Sequence, residues 1–384
     1  MKILLLAPQP FFQQRGTPIA VNWILKALSR RGDQVDLLTY PEGDDVSHPG
    51  LRIFRTPRVF FAAQIPPGFS WKKLVHGFFL FWNAVSLCRK NRYDAVHAVE
   101  ESVFVALALK WIFRVSYVYD MDSSLADQLV ESRPFLKCFS PFFRFMEKLG
   151  VQNSTGVLAV CDALEQAAKR QGANNVLLLP DISLLEEEMP GQNITRIRNE
   201  FSIVSPIVMY VGNFEAYQGV DLLLESAALL KNKTGFHLAF IGGTDRHISF
   251  YRDKAKRLGL EKTAHFLGPR PVSDIRAYLE QADILVSPRI RGSNTPMKVY
   301  TYLHSGKPVL ATQIVSHTQI LSASVCALAE VVPQAFSARL SELLNDEKER
   351  KLLGEAGKKF VEKDYSFPAF EQKLDSFYET LKNF

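Results

Sequence analysis

The chain is poor in cysteine and lacks any local grouping of it. Cys88, Cys138, Cys161 and Cys326 stand far apart, with no Cys-x-x-Cys spacing and no accompanying His cluster. That gives no support to a disulfide scaffold or a zinc module and leaves four reduced thiols, as expected of a cytoplasmic protein. Long apolar runs are missing too. Leu74–Cys88 is interrupted by His76 and Asn83, and Val103–Tyr119 by Lys110 and Arg114. Neither reaches the ~20 clean residues of a spanning helix. The N-terminal MKILLLAPQP ends in Pro-Gln-Pro without a small-residue cleavage site, so it reads as a first strand and not as a leader.

Charge is nearly balanced: 46 Lys and Arg against 40 Asp and Glu leave +6 over 384 residues. A mild basic excess suits an anionic partner, whether phosphorylated small molecule, anionic membrane or nucleic acid. Nucleic acid is disfavoured, because no recognised module is present and the aromatics cluster with aliphatics. What the chain has in abundance is aromatic residues, with Phe alone supplying 28. They concentrate in Arg58–Arg89 and in Phe135–Lys148, interleaved with Lys and Arg. Two readings stand side by side there: interfacial helices on an anionic leaflet, or core helices with snorkelling cations.

The length is too great for one ordinary core. Short apolar runs alternate with helical patterns at 2–7, 35–39, 93–98, 117–119, 156–159 and 176–179. The alternation lapses over 182–205, which holds Glu186–Glu188 and a Met-Pro-Gly, then restarts at 206. Strands of four to six residues joined through helices predict parallel sheets with right-handed crossovers. The expected division is an N-terminal domain 1–185, a hinge 186–205, a second domain 206–364 and a closing segment 365–384. In such α/β sheets ligands bind beyond the carboxyl ends of the strands, which in a two-domain chain predicts a ligand in the interdomain cleft.

Glycine-bearing loops follow several strands: FFQQRGTPIA (11–20), VGNFEAYQG (211–219), FIGGT (240–244), FLGPRP (266–271) and RGSNTPMK (291–298). The first lacks the Gly-x-Gly-x-x-Gly of dinucleotide binders. Its Gly16 and Thr17 could offer N–H groups to an anion or merely turn the chain into a helix. The last gathers Arg289, Arg291 and Lys298 with Ser293, Asn294 and Thr295 at the mouth of a helix, a pattern suited to anionic and hydroxylated ligands. Asp122 either serves catalysis or caps a helix starting near Ser123. His97 and Glu100, at the end of the strand YDAVHA, are candidates for acceptor contact or for orientation.

The order YVGNFEAYQGVDLLLESAALL, IGG, HFLGPRP, ADILVSPRI, PMKVYTYLHSGKPVLAT resembles the second domain of retaining GT-B glycosyltransferases. These are glycosyltransferase family 4-like proteins, glycosyl transferases group 1, typified by sucrose synthases and by bacterial lipopolysaccharide and mannosyl transferases. KILLLAPQP, ILKALSRRGDQVDLLT, YDAVHAVEE and GVLAVCDALEQAAKRQG extend the likeness to the first domain. The resemblance implies an α/β GT-B fold with two Rossmann-like domains, doubly wound parallel sheets facing across a cleft. It also implies a helix near Phe367–Leu381 crossing back to the first domain. The donor would be a nucleotide-diphosphate sugar bound mainly to the second domain. A hydroxyl acceptor, lipid-linked or an envelope glycan, would bind to the first, near Gly16, Thr17, His97 and Glu100. The expected setting is cytoplasmic; if the aromatic and basic segments lie on a leaflet, it is the inner face of the plasma membrane, with a lipid or lipid-linked acceptor.

Four charged positions of the family pattern are neutral here. An Arg and a Lys that grip the diphosphate correspond to Asn213 and Gln218, and two glutamates eight residues apart to Ser293 and Thr301. Either the site has decayed into a non-catalytic nucleotide-sugar-binding scaffold, or the charges have moved. On the second reading Arg289, Arg291 and Lys298 neutralise the leaving diphosphate, and no metal or other cofactor is expected. Gly212, Asn213 and Gln218 line its pocket, Gly243 lets the donor approach, Arg270 sits by the base, and Thr301 by the ribose. Ser293, Asn294 and Thr295 hold sugar hydroxyls. Asp122, where the family often carries a His, faces the reacting carbon. A phosphorylase or an epimerase on the same fold is a weaker rival.

Overall fold

The computed structural model describes all residues except 13–15, 63–64, 66–69, 126–137, 187–193, 195, 293 and 382–384. The chain forms two compact units, Met1–Pro180 with Phe370–Phe384, and Asp181–Ala369.

The first unit is built on a seven-stranded sheet. Its strands are β1 (Lys2–Ala7), β2 (Gln34–Thr39), β3 (Leu51–Arg55), β4 (Ala95–Val99), β5 (Ser116–Met121), β6 (Gly156–Ala159) and β7 (Val176–Leu178). Their spatial order is β3-β2-β1-β4-β5-β6-β7, and every ladder is parallel. Both faces of the central strands are covered by helices, so β1 reads as an unbroken apolar run from Ile3 to Ala7 and not as alternation. Helices Trp71–Lys90, Val103–Phe113 and Ser140–Asn153 all belong to rightward crossovers (β3 to β4, β4 to β5, β5 to β6). Right-handed connection therefore places them on one face. Leu80, Ala84, Val103, Leu107 and Val151 pack there against Leu4, Leu6, Val96 and Tyr117. The other face takes helix Gly16–Arg30 and the closing helix Phe367–Leu381, whose Tyr378 reaches His97 on β4.

The second unit repeats the plan with β8 (Ile207–Val211), β9 (His237–Ile241), β10 (Ala264–Gly268), β11 (Ile284–Ser287), β12 (Val309–Thr312) and β13 (Ala327–Ala329). The order is β10-β9-β8-β11-β12-β13, again parallel throughout. Period-two alternation sorts β8 cleanly: Ile207 and Met209 enter one core, Val208 and Tyr210 the other.

Several elements depart from the sequence reading. The edge strand β3, Leu-Arg-Ile-Phe-Arg and only half-buried, and the three-residue β13 carry too little apolar pattern to be found. The connection from β10 to β11 holds only a 3-10 turn, Val272–Asp274, followed by a short helix, Ile275–Leu279. A short helix, Ile197–Glu200, lies within the expected hinge.

In both sheets the connections depart in opposite directions from one central strand, β1 in the first and β8 in the second. The crevice at the carboxyl end beside that strand is where such folds receive ligands.

Candidate active site

In the second sheet the crevice lies between β8 and β11. From β8 the chain enters Gly212 and Asn213, runs through a 3-10 turn, Ala216–Gln218, and starts helix Val220–Leu230. From β11 it passes Pro288 and Arg289 and rises into helix Met297–His304.

Lys298 stands at the meeting of these loops. Its Nζ donates to Gln218 Oε1 at 2.8 Å and to Tyr210 Oη at 2.9 Å, and lies 4.2 Å from the centre of the Tyr210 ring. Tyr210 passes its own proton to the carbonyl of Asn213 at 2.6 Å. Gly212 leaves the ammonium room: its φ is +150°, and a Cβ there would fall 2.8 Å from Lys298 Nζ. Burial, and then the positive charge of Arg289, lower the Lys298 pKa from 10.5 to about 7.

Arg289 is almost fully buried, 7 % exposed. Its Nε donates to Arg291 O at 2.8 Å, one Nη to Asn294 O at 3.1 Å and the other to Asn294 Oδ1 at 3.1 Å. Three of the five guanidinium donors thus shape the loop, while the cation rests over the Tyr217 ring at 5.3 Å. Burial lowers its pKa as well. Among the described residues no carboxylate pairs with Arg289 or Lys298. Two mutually repelling cations are held at a strand end without a counter-charge, which is costly unless an anion arrives.

Beneath them His317, fully buried, bridges β11 and β12. Its Nε2 lies 2.9 Å from Ser287 Oγ and its Nδ1 2.9 Å from Thr312 O. Burial drives its pKa down to about 4, so the ring is neutral. The Thr312 hydroxyl in turn donates to the carbonyl of Arg289.

Other expected donor residues fall around this centre with different surroundings. Asn213 is exposed. Gly243, at φ +76°, brings its backbone against Phe214, 2.5 Å from where a Cβ would stand. Arg291 and Arg270 are exposed, Arg270 near the Tyr278 ring at 6.0 Å. Thr295 is buried and accepts from Gln319 Nε2 at 2.7 Å. Ser293 lies outside the described residues. Thr301, expected beside a ribose, is 2 % exposed, and its hydroxyl accepts from Leu184 N–H at 3.1 Å. The fold uses it in packing instead.

The first sheet has its own crevice, between β1 and β4. Glu100 follows β4 with φ +47°, an uncommon conformation for a side-chain-bearing residue. It accepts from Ser123 Oγ at 3.1 Å. Burial, then the charge of Glu101, raises its carboxyl to about 7. Lys73 donates to Glu101 at 2.7 Å. Asp120 and Asp122 straddle the end of β5 in an Asp-Met-Asp run, and Asp122 is half-buried. His97 corrects the expectation of an open strand-end group. It is fully buried, with Nδ1 2.6 Å from Tyr378 Oη and Nε2 3.2 Å from Asp120 Oδ2. Tyr378 O–H donating to Nδ1 and Nε2–H donating to the carboxylate satisfy all three groups, so His97 ties the closing helix to β4. Gly16 and Thr17 open helix Gly16–Arg30, and a Cβ on Gly16 would meet nothing within 4 Å.

Tyr210, Tyr217 and His317 were not identifiable from sequence. Tyr210 sits in an apolar strand and reads as core, and only the fold shows its hydroxyl meeting Lys298.

Two parallel-sheet units of this kind make the architecture GT-B, two Rossmann-like domains. Residues 193–360 match the family model described as glycosyl transferases group 1, and residues 15–180 that of the glycosyl transferase 4-like domain. Together with the fold, these matches support a glycosyltransferase of GT-B type. D-inositol 3-phosphate glycosyltransferase of Corynebacterium glutamicum is 28% identical over 193 residues, 48% of this chain and 46% of that protein. The N,N'-diacetylbacillosaminyl-diphospho-undecaprenol alpha-1,3-N-acetylgalactosaminyltransferase of Campylobacter jejuni is 31% identical over 147 residues, 38% and 37% of the two chains. The chain thus spans less than half the length of these curated relatives. Among solved structures, HepE of Anabaena in complex with UDP superposes with a TM-score of 0.76 at 15% identity, covering 100% of both chains.

Proposed function

We propose that the protein transfers a sugar from a nucleotide-diphosphate donor to a hydroxyl acceptor with retention of configuration. The observation that carries this reading is the place of Lys298 Nζ, 2.8 Å from Gln218 Oε1. Gln218 occupies the position at which the resembled family has a diphosphate-gripping lysine. Here an ammonium from another helix reaches the same spot. The charge has been moved, not lost, and this favours an enzyme over a decayed scaffold.

Each charge then has a task. As the glycosidic C–O bond breaks, its electron pair leaves with the diphosphate. Lys298 and Arg289 stabilise the negative charge that grows there, preorganised by Tyr210, Gln218 and the carbonyls of the 291–294 loop. Protonated Lys298 gains an anionic partner and loses the electrostatic penalty of its burial. Asp122 is assigned to the positive charge that develops at the reacting carbon, and Glu100 to the acceptor hydroxyl. The acceptor's proton passes to the departing phosphate oxygen as the new C–O bond forms. No metal is needed for this neutralisation, since the two cations supply it. The Campylobacter relative's named acceptor is a diphospho-undecaprenol. With the basic balance of this chain, that supports a lipid-linked or envelope glycan acceptor, met at the anionic inner face of a membrane.

The test is a thermal-shift screen against nucleotide sugars, uridine nucleotides first, followed by donor turnover with the responding compound. Selective stabilisation and turnover are expected, and both should be weakened by Lys298→Ala. Binding without any turnover would return the protein to the scaffold reading.

A further inference from the structure

We infer that the outer face of three neighbouring helices in the first unit, Trp71–Lys90, Val103–Phe113 and Ser140–Asn153, is a docking surface for an anionic lipid bilayer. Helix Trp71–Lys90 turns His76, Leu80, Ala84 and Val85 to the core. On its opposite side Trp71, Phe78 and Trp82 recur at helical spacing, each more than half exposed. Trp111 on the second helix and Phe142 and Phe145 on the third are likewise more than half exposed. The three helices lie on one face of the sheet, so these rings project from the same side of the unit. Core packing therefore does not account for the aromatic wealth of these segments. An exposed apolar patch of this extent marks an interaction surface, and Trp and Phe on basic helices suit the boundary between headgroups and acyl chains.

Charge selects the occupant. The three helices hold seven basic residues and one acid, and that acid, Glu147, is buried. Taking these away from the chain's 46 basic and 40 acidic residues leaves 39 of each sign. The balance on these three helices thus equals the whole +6 excess of the protein; Lys73 is spent on Glu101, while Arg89, Lys90, Arg144 and Lys148 are exposed on the helices that carry the rings. A neutral protein partner would not call for that coincidence, whereas a negatively charged leaflet attracts Lys and Arg as the rings enter. None of the helices, among the described residues, is long and apolar enough to cross a membrane. The contact is therefore along the surface. The use of this face rests on the lipid-linked-acceptor reading above, but the binding itself does not.

The test is co-sedimentation of the full chain with vesicles of phosphatidylcholine, with or without about one-third phosphatidylglycerol, in the absence of donor and acceptor. The wild type should bind the anionic vesicles at least ~10-fold more tightly than the zwitterionic ones, and should release as salt rises toward 1 M, where the Debye length is about 3 Å. Trp82→Glu with Phe78→Glu should lose most of that binding, and Arg89→Glu with Lys90→Glu should weaken it while unchanged melting curves confirm folding. Wild type left in the supernatant with anionic vesicles, or variants that bind as well as wild type, would overturn the inference. So would a dimer in gel filtration that Trp82→Glu converts to monomer, since a second copy would then be the occupant. Because no substrate is present, vesicle binding without sugar transfer would sink only the catalytic reading, and transfer to a soluble acceptor without vesicle binding only the docking face.

Discussion

At the switch point of the second sheet, Lys298 and Arg289 stand together with no carboxylate among the described residues paired to either. At that of the first, Glu100 stands near Glu101 and Asp120, with Lys73 as the neighbouring cation. The two units have the same parallel winding and offer loops at the same strand ends, yet the charge they concentrate there is opposite. Burial acts on both in the same direction, toward the neutral form. It lowers Lys298 to about 7 and raises Glu100 to about 7. The backbone plan decides where a ligand can bind, while a few side chains on the loops decide which sign of charge it must carry. On the proposed function, one crevice would receive a diphosphate and the other a hydroxyl that has a proton to give.

Removing the central group of either site should be the most damaging change. Asp122→Asn keeps the size but removes the charge assigned to the reacting carbon, and a loss of about 10²-fold in turnover is expected. Lys298→Ala and Arg289→Ala should each lower turnover by at least ~10-fold through poorer stabilisation of the leaving group. Steady-state kinetics at saturating donor would check all three. Unchanged rates in both cation variants would mean that the diphosphate is held elsewhere and that the contrast between the crevices has no catalytic meaning.

Opposite charge also predicts opposite pH dependence. Diphosphate binding favours the ammonium form of Lys298, which the free protein loses as pH rises through about 7. Donor affinity should therefore fall above pH 7, by up to ~10-fold per unit, until the pH at which the complex loses the proton as well. Glu100 is protonated below about 7, and its carboxylate accepts from the acceptor hydroxyl more strongly than the neutral acid does. Acceptor affinity should therefore fall as pH drops below 7. Calorimetric donor titration and acceptor KM, each from pH 6 to about 8.5, would show slopes of opposite sign. Slopes of equal sign would break the comparison, and Glu100→Gln should remove the acceptor dependence alone.

Much of this was legible before any coordinates. Strands β1 and β6 coincide with the apolar runs at 2–7 and 156–159 because a strand covered on both faces has to be apolar almost throughout. Gly212 and Gly243 announced the tight loops for a similar reason, since few residues tolerate their backbone angles. The edge strand β3 escaped because its Arg52 and Arg55 disrupt the pattern that burial imposes elsewhere. The site was half legible. Lys298 and Arg289 stood out as cations at a helix mouth, but their partners did not. Arg289 is held by backbone carbonyls, which sequence does not encode. Gln218 and Tyr210 lie 80 and 88 residues from Lys298, and only strand order brings them together. His97 misled because a polar residue late in a strand resembles a ligand contact until burial is known, and Thr301 because it stands where the resembled family has a glutamate.

The smallest effect sharpens the contrast most directly, because it asks whether Lys298 is kept at a cost to the fold. In the unfolded chain its amine holds a proton up to about its ordinary 10.5, whereas in the fold it gives the proton up near 7. Between those values the unfolded state binds more protons, so stability rises with pH across that window. The penalty is complete below about pH 7, shrinks from 7 to 10.5 and is gone above. Lys298→Met fills similar space without the charge. It should raise the melting temperature by a few degrees near pH 7, and the advantage should shrink by pH 10. Gln218 Oε1 loses a donor in this variant, an offset that does not vary with pH. The narrowing of the difference between pH 7 and 10 is therefore the quantity to read. A constant difference would mean that the lysine is comfortable where it stands, and that no anion is needed to balance it.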